Sequence, residues 1–252
     1  MPFKDHFSRQ SADYSRYRPD YPPALIDWIA AQAPDRQLAV DCATGNGQAA
    51  LALASRFDSV LALDGSLDQL RRAESRPNLA YVAAVAERLP VRDRSVSVVT
   101  AAQAAHWFDF ARFHAECRRV LRPGGVVAAW AYGKFHLDED DGAARAIEAL
   151  VDDFYDNVVG DFWPPERRYI ELGYRTLPFP WREVMPPQFA LEATWDLDRV
   201  LGYLGSWSAV QRYRDRHGGD PLQALRGPLQ AAWGGRAARR MRWPIHMRVG
   251  RA

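Results

Sequence analysis

The sequence predicts an α/β protein built on a doubly wound, mostly parallel sheet with helices on both faces. Three observations predict it. Between Leu38 and Ala131, short apolar runs alternate with amphipathic stretches. The runs largely lack the two-residue alternation of a half-exposed strand, as strands covered on both faces do. The first run ends in a Gly-rich turn, Asp41-Cys42-Ala43-Thr44-Gly45-Asn46-Gly47, which feeds a helical pattern.

In order, the runs are Leu38 to Cys42, Val60 to Leu63, Leu79 to Ala83, Val96 to Ala101 and Val126 to Ala131. Helices fit Gln48 to Arg56, Ser66 to Ser75 with Ser66 as N-cap, and Asp109 to Leu121. Arg122-Pro123-Gly124-Gly125 reads as the turn that stops the last of these, because Pro cannot continue a helix and Gly accepts a positive φ. Ala143 to Val158 predicts a further helix. Asp161 to Pro187 reads as an irregular insertion or lid, since a solvated linker would not carry Phe162, Trp163, Phe179 and Trp181 among its prolines. Gln188 to Trp195 alternates like a strand, helical patterns cover Leu197 to Leu204, Ala209 to Arg216 and Pro221 to Trp233, and Trp243 to Val249 fits a final strand. The basic run Arg236, Arg239, Arg240 and Arg242 reads as a solvated turn ahead of it.

The chain is 48% hydrophobic and 25% charged, a globular composition, and its formal net charge of +2 gives no overall field toward nucleic acid or anionic lipid. Cys42 and Cys117 lack a CxxC spacing, so no metal and no redox dithiol is expected. Met1-Pro2-Phe3-Lys4-Asp5-His6 is not a secretory leader and no apolar run approaches a membrane span, which predicts a cytoplasmic protein.

Gly45, Gly47 and Ala50 fit the turn of a dinucleotide site as well as that of another nucleoside ligand. Asp41 tips the reading. A carboxylate at the strand end repels a pyrophosphate and attracts a cation such as an amino-acid ammonium, directly or through water. Asp64 closes the second run, where an acid accepts ribose hydroxyls. Both also fit solvated strand-end acids.

Asp41 to Gly47 resembles the first motif of the class I S-adenosylmethionine-dependent methyltransferases, and Asp64-Gly65-Ser66 resembles the second. Ala86-Glu87-Arg88-Leu89-Pro90 is similar to the segment where that family places the adenine, and Arg122-Pro123-Gly124-Gly125 to the turn before its fifth strand. Ala43 departs from the family pattern, which has glycine there; its methyl narrows the approach to the backbone. Tyr14 to Pro22, Gln103 to Asp109 and Ser206-Trp207-Ser208 look like the trans-aconitate-type methyltransferases of small acids.

The resemblance implies a Rossmann-like, seven-stranded sheet in a single domain spanning residues 1–252. Residues 1–37 would cover the cofactor, 38–133 form its binding core, 134–235 form a helical lid with the substrate pocket, and 236–252 carry the final strand. It implies S-adenosyl-L-methionine as cofactor, bound by Tyr14, Arg18, Asp41, Ala43, Thr44, Gly45, Gly47, Asp64, Gly65, Ser66, Ala86, Glu87 and Gln103. Arg18 is a candidate partner for the methionine carboxylate, and otherwise a surface residue.

The expected acceptor is a small molecule, with an oxygen of a carboxylate or hydroxyl as the first reading and amine and thiol acceptors left open, in a pocket of His106, Trp107, Trp163, Tyr203 and Trp207. His106 is the candidate base, with plain packing under a loop as the alternative. Thr100 to Phe108 holds no Pro, which disfavours the methylation of exocyclic base amines, and no nucleic-acid or membrane partner is expected. A nicotinamide-dependent oxidoreductase and an inactive S-adenosylmethionine-binding protein are the alternatives.

Overall fold

A computed structural model of the chain describes residues 19–139 and 141–252. Helix α1 (Pro23–Gln32) leads into β1 (Leu38–Cys42), α2 (Gln48–Ala54), β2 (Ser59–Asp64), the single turn α3 (Leu67–Leu70) and β3 (Leu79–Ala83). Then come β4 (Val96–Ala102), α4 (Phe110–Val120) and β5 (Leu121–Tyr132). These five strands are parallel and lie in the order β3-β2-β1-β4-β5. The reversal of order at β1 and β4 opens a crevice beyond their carboxyl ends, where such sheets bind ligands.

The second half supplies β6 (His136–Leu137), α5 (Gly142–Asp153), α6 (Arg167–Glu171), β7 (Arg182–Glu183) and β8 (Phe189–Trp195). Helices α7 (Leu197–Gly205), α8 (Ser208–His217) and α9 (Leu222–Trp233) precede β9 (Arg239–Arg251). Strand β9 runs antiparallel to its partners. Along one edge it pairs with β5 and then β6; along the other it pairs with β8 and β7. The sheet therefore has seven lanes, two of them shared by a pair of strands. Segment 134–235 supplies three of those strands, so it is part of the sheet as well as a cover over it.

Neighbouring strand residues explain the unbroken apolar runs. Ala39, Val98 and Val126 face one buried cluster with Leu25 and Ile29 of α1 and Leu53 of α2, while Val40, Val99 and Val127 face another with Phe113, Cys117 and Val120 of α4. Each strand alternates, but both faces are apolar.

Three expectations are corrected. The helix after Ser66 ends at Leu70; Ser66 caps it by accepting Gln69 N–H, and the chain then tightens toward Pro77, whose predecessor is driven out of the helical region. Arg122-Pro123-Gly124-Gly125 does not lie between helix and strand: β5 already begins at Leu121, and these residues bulge out between the pairs Val96–Leu121 and Val98–Val126. Gly124 takes a φ of 75°, so the turn residues make a bulge inside the strand. The helix expected over Ala143 to Val158 forms, α5 passing at Phe154–Val158 into a wider π-helical turn. Arg239 is 2% exposed at the start of β9, beside Glu139 and Asp141, and not on a solvated turn.

The aromatic insertion divides. Phe179 and Trp181 pack flat against β9 at Gly250, which has no side chain to push them away, and Trp181 donates its indole N–H to His114 Nδ1 at 2.9 Å. Trp163 instead stacks near Tyr155 and Trp207, at ring separations of 4.7 and 5.6 Å. Only this second part reaches the crevice.

Candidate active site

The turn after β1 bends through three left-handed residues, Ala43 at φ 52°, Gly45 at 58° and Gly47 at 89°. Thr44 between them donates its backbone N–H to Leu63 O at 2.9 Å, which ties the turn to β2. A side chain at Gly47 would collide with the Tyr81 ring, whereas one at Gly45 would meet nothing within 4 Å. Gly45 therefore faces the open crevice and leaves its backbone accessible.

Ala43 bears a larger cost than its sequence alone suggests, because its methyl sits in a conformation suited to glycine. Ala43→Gly is expected to raise stability at most by about 1 kcal/mol, the relief of strain being partly offset by a freer unfolded chain. Denaturant titration of the two proteins checks this, and a clear loss of stability would contradict it.

The two strand-end acids are not solvated. Asp41 is fully buried, and its two oxygens accept the hydroxyls of Thr44 and Thr100, each at 2.6 Å. It presents no exposed oxygen for direct contact in this arrangement, so its charge acts on the crevice through space. Burial pushes its carboxyl up to about 6, against the pull of the two hydroxyls and with a smaller push from Asp64. Asp64 is 8% exposed and binds Gly45 N–H with one oxygen and Ser66 N–H with the other, both at 2.8 Å. Each carboxylate oxygen can accept two bonds, so an acid held in this way can also receive hydroxyls from a ligand. Gly65 lies half-buried between these bonds.

Beyond β3, Ala86 is buried and Glu87 Oε1 accepts Asp109 N–H at 2.9 Å, fixing this segment to the start of α4. Leu67 and Val85, which follow the neighbouring tips of β2 and β3, are exposed by 55% and 37%. Exposed apolar residues at a cleft rim suit a flat ligand ring.

Gln103, at the tip of β4, also has a left-handed φ, 56°. Its side-chain amide exchanges two hydrogen bonds with the Tyr132 backbone, at 2.9 and 3.0 Å, which holds the strained residue in place. The next turn sets His106 and Trp107 on a recess of about 570 Å³, counting its open mouth. Trp163, Tyr203 and Trp207 line the same recess, together with Tyr132, Arg167 and Ser206. His106 is 5% exposed, and its Nδ1 lies 2.8 Å from the Tyr174 hydroxyl. Burial, aided by the Arg167 charge, pulls the imidazole down to about 3.

The structure thus gathers Asp41, Ala43, Thr44, Gly45, Gly47, Asp64, Gly65 and Ser66 at one end of the crevice, and His106, Trp107, Trp163, Tyr203 and Trp207 at the tips of β4 and β5. Tyr14 and Arg18 lie outside the described residues. Sequence reasoning missed Thr100, Tyr174 and Arg167. Thr100 left a signal, a hydroxyl near the end of an apolar strand, and it lies directly opposite Asp41 in the sheet register. Arg167 left none, since it sits on a five-residue helix after two prolines.

A family profile described as a methyltransferase domain matches residues 40–129. A Dictyostelium discoideum protein named as a methyltransferase is 30% identical over 232 residues, covering 92% of this chain and 87% of that one. A structure described as a type II methyltransferase, from Anaeromyxobacter dehalogenans, is 46% identical, covers 93% of this chain and 98% of that one, and superposes with a TM-score of 0.84. A malonyl-[acyl-carrier protein] O-methyltransferase of a Marinomonas strain is 36% identical over 130 residues, 48% of each chain.

A seven-lane sheet with an acid-tipped, Gly-rich turn at its switch point defines a nucleoside-binding α/β enzyme. The chain belongs to the class I S-adenosylmethionine-dependent methyltransferases. The nicotinamide alternative, which the spacing of Gly45, Gly47 and Ala50 left open, gives way to this assignment. Among the described residues, no helix is long and apolar enough to cross a membrane.

Proposed function

We propose that this methyltransferase acts on a small acid, placing the methyl group on a carboxylate oxygen that is already ionised when it binds. One observation carries the reading. Among the described residues, the lining of the acceptor recess includes a guanidinium but no Asp, Glu or Lys, and its histidine is too weak a base to take a proton from a hydroxyl near neutrality. A carboxylate needs no base. The name of the Marinomonas relative, an O-methyltransferase, is consistent with an oxygen acceptor.

The residues present fit the cofactor. The uncovered backbone at Gly45 would admit it, Asp64 would receive its ribose hydroxyls, Leu67 and Val85 would flank its base beside Ala86 and Glu87, and the buried Asp41 would favour its ammonium. S-adenosylmethionine supplies a methyl on a sulfonium, so the acceptor's negative charge and the sulfonium's positive charge cancel in the transfer. Trp107, Trp163 and Trp207 give the recess apolar walls, which would leave a bound carboxylate less of the hydration that blunts it. Neutral His106, held by Tyr174, orients the acceptor without exchanging a proton.

Supplied with methyl-labelled cofactor and a panel of small acids, phenols, amines and thiols, the enzyme is expected to form an alkali-labile ester. With the cofactor saturating, kcat should show no inflection near pH 6.5, the ordinary histidine value. Label in an alkali-stable ether, amine or thioether would overturn the carboxylate reading.

A further inference from the structure

Tyr174 is a large, fully buried residue in a backbone conformation that such residues rarely adopt, with a φ of 59°. Gly173 before it has the same φ, so the chain leaves α6 through two consecutive left-handed residues. The Tyr174 ring packs among Ala101, Ala105, Ala129 and Ala131, at the ends of β4 and β5, and its hydroxyl lies 2.8 Å from His106 Nδ1. A bulky residue persists in this conformation only where its surroundings over-determine it, and such residues cluster at functional sites.

The surroundings here belong to β9. His246 and Arg248 are two residues apart on that strand and share one face. A Cβ on Gly173 would come within 3.0 Å of His246 Nδ1, so the glycine lets the turn close on the strand. Arg248 then takes hold of it. Its Nη1 is within hydrogen-bond distance of three carbonyls, those of Tyr174 at 3.1 Å, Arg175 at 3.3 Å and Leu177 at 3.1 Å. Its Nε and Nη2 donate to the two carboxylate oxygens of Glu183 on β7, at 2.7 and 2.5 Å. This two-pronged pair fixes the guanidinium plane and aims the third nitrogen at the turn.

The turn matters to the acceptor recess through one hydrogen bond. In a neutral imidazole one nitrogen donates and the other accepts, so the Tyr174 hydroxyl at Nδ1 decides what Nε2 presents. Arg248 does not line the recess itself.

We infer that Arg248 is a positioning residue for the methyl transfer: by gripping the carbonyls of the Tyr174 turn it keeps the tyrosine hydroxyl on His106 Nδ1 and so fixes the tautomer and ring orientation of that histidine. This rests on the reading of His106 as the group that orients the acceptor. Glu183 serves the same end one step further out, holding Arg248 in the plane from which it reaches the turn.

The experiment is long-range proton–nitrogen NMR of the histidine rings in the whole enzyme saturated with S-adenosylhomocysteine, with His106 assigned by its absence from His106→Asn. Wild type is expected to show the ring-nitrogen shifts of a single neutral tautomer. Tyr174→Phe, which removes only the hydroxyl, and Arg248→Met should each move those shifts toward the average of exchanging tautomers. Arg248→Met added to Tyr174→Phe should move them no further, because both act through one bond. Arg248→Lys should restore the wild-type pattern in part, and it decides the matter if Arg248→Met does not fold. His114 is the control: its Nδ1 accepts the Trp181 indole N–H and its Nε2 donates to Pro178 O, each at 2.9 Å, so its signals report whether the next stretch of chain is still seated. His106 shifts that stay at their wild-type values in the Arg248 variants, or a change at His114 as large as that at His106, overturn the proposal. With an acid methylated in the labelling panel, Arg248→Met should lower kcat by about tenfold to a hundredfold, the cost of misplacing a reacting group by about 1 Å, while KM for S-adenosylmethionine stays the same. An unchanged kcat overturns it as well. The two readings fail separately: an alkali-stable product sinks carboxylate methylation, while the ring shifts report on Arg248 whatever the acceptor.

Discussion

Asp64→Ala is expected to weaken binding of S-adenosylhomocysteine by roughly 1.5 to 3 kcal/mol, about ten- to a hundredfold in Kd. Two separate losses contribute. The ribose hydroxyls lose a charged acceptor, and the Gly-rich turn loses its tether, because Asp64 holds Gly45 N–H and Ser66 N–H on its two oxygens. Asp64→Asn separates them, since its one remaining carbonyl oxygen can keep one of the two tethers but carries no charge. The substituted asparagine should therefore fall between wild type and alanine. Calorimetry gives the affinities and a melting curve shows whether the turn is still formed. Unchanged affinity in Asp64→Ala would remove this residue from the cofactor site.

Much of the fold was legible because its determinants are local. Strands β1, β2, β4 and β5 were visible as largely apolar runs because most of their residues are buried on both faces, and Ser66 and Asp109 marked helix starts by their own hydrogen bonds. What failed were features that depend on distant partners. Pro123, Gly124 and Gly125 have the composition of a turn, and only the pairing of β5 against β4 turns them into a bulge. Arg239 has the composition of a surface residue, and only Glu139 and Asp141, about a hundred positions away, make its burial tolerable.

The site divides in the same way. The cofactor end is one contiguous turn plus the tips of two neighbouring strands, so its residues fall into short motifs. The acceptor end assembles His106 from the turn after β4, Arg167 from a short helix, and Tyr203 and Trp207 from α7 and the turn after it. No spacing in the chain encodes that convergence. His106 could be found because it follows a strand tip, but its low basicity depends on burial and on Arg167, neither of which is local.

Asp41→Asn is expected to stabilise the enzyme at pH 7 to 8 by about 2 kcal/mol while weakening cofactor binding. In the unfolded chain the carboxyl ionises at its ordinary 3.8; in the fold it does so at about 6. Between these values the folded protein keeps a proton that the unfolded chain has lost. As far as Asp41 is concerned, stability is greatest below pH 3.8, falls as pH rises through the folded value, and is then lower by about 3 kcal/mol. Asparagine avoids that loss. It forfeits about 1 kcal/mol because only one threonine hydroxyl can still donate to it, though Thr100 has Val40 O at 3.4 Å as a second acceptor. Urea titrations should show the gain shrinking as pH falls from 6 and gone below about 4. A variant less stable than wild type at pH 7, or a difference that ignores pH, would refute the assignment. Function runs the other way. A cation in the crevice favours ionised Asp41, so cofactor binding to wild type near pH 6 should release a fraction of a proton, detectable as a buffer-dependent heat. Asp41→Asn should release none from this site, which ties the instability of the buried acid to its use as a fixed charge for the cofactor.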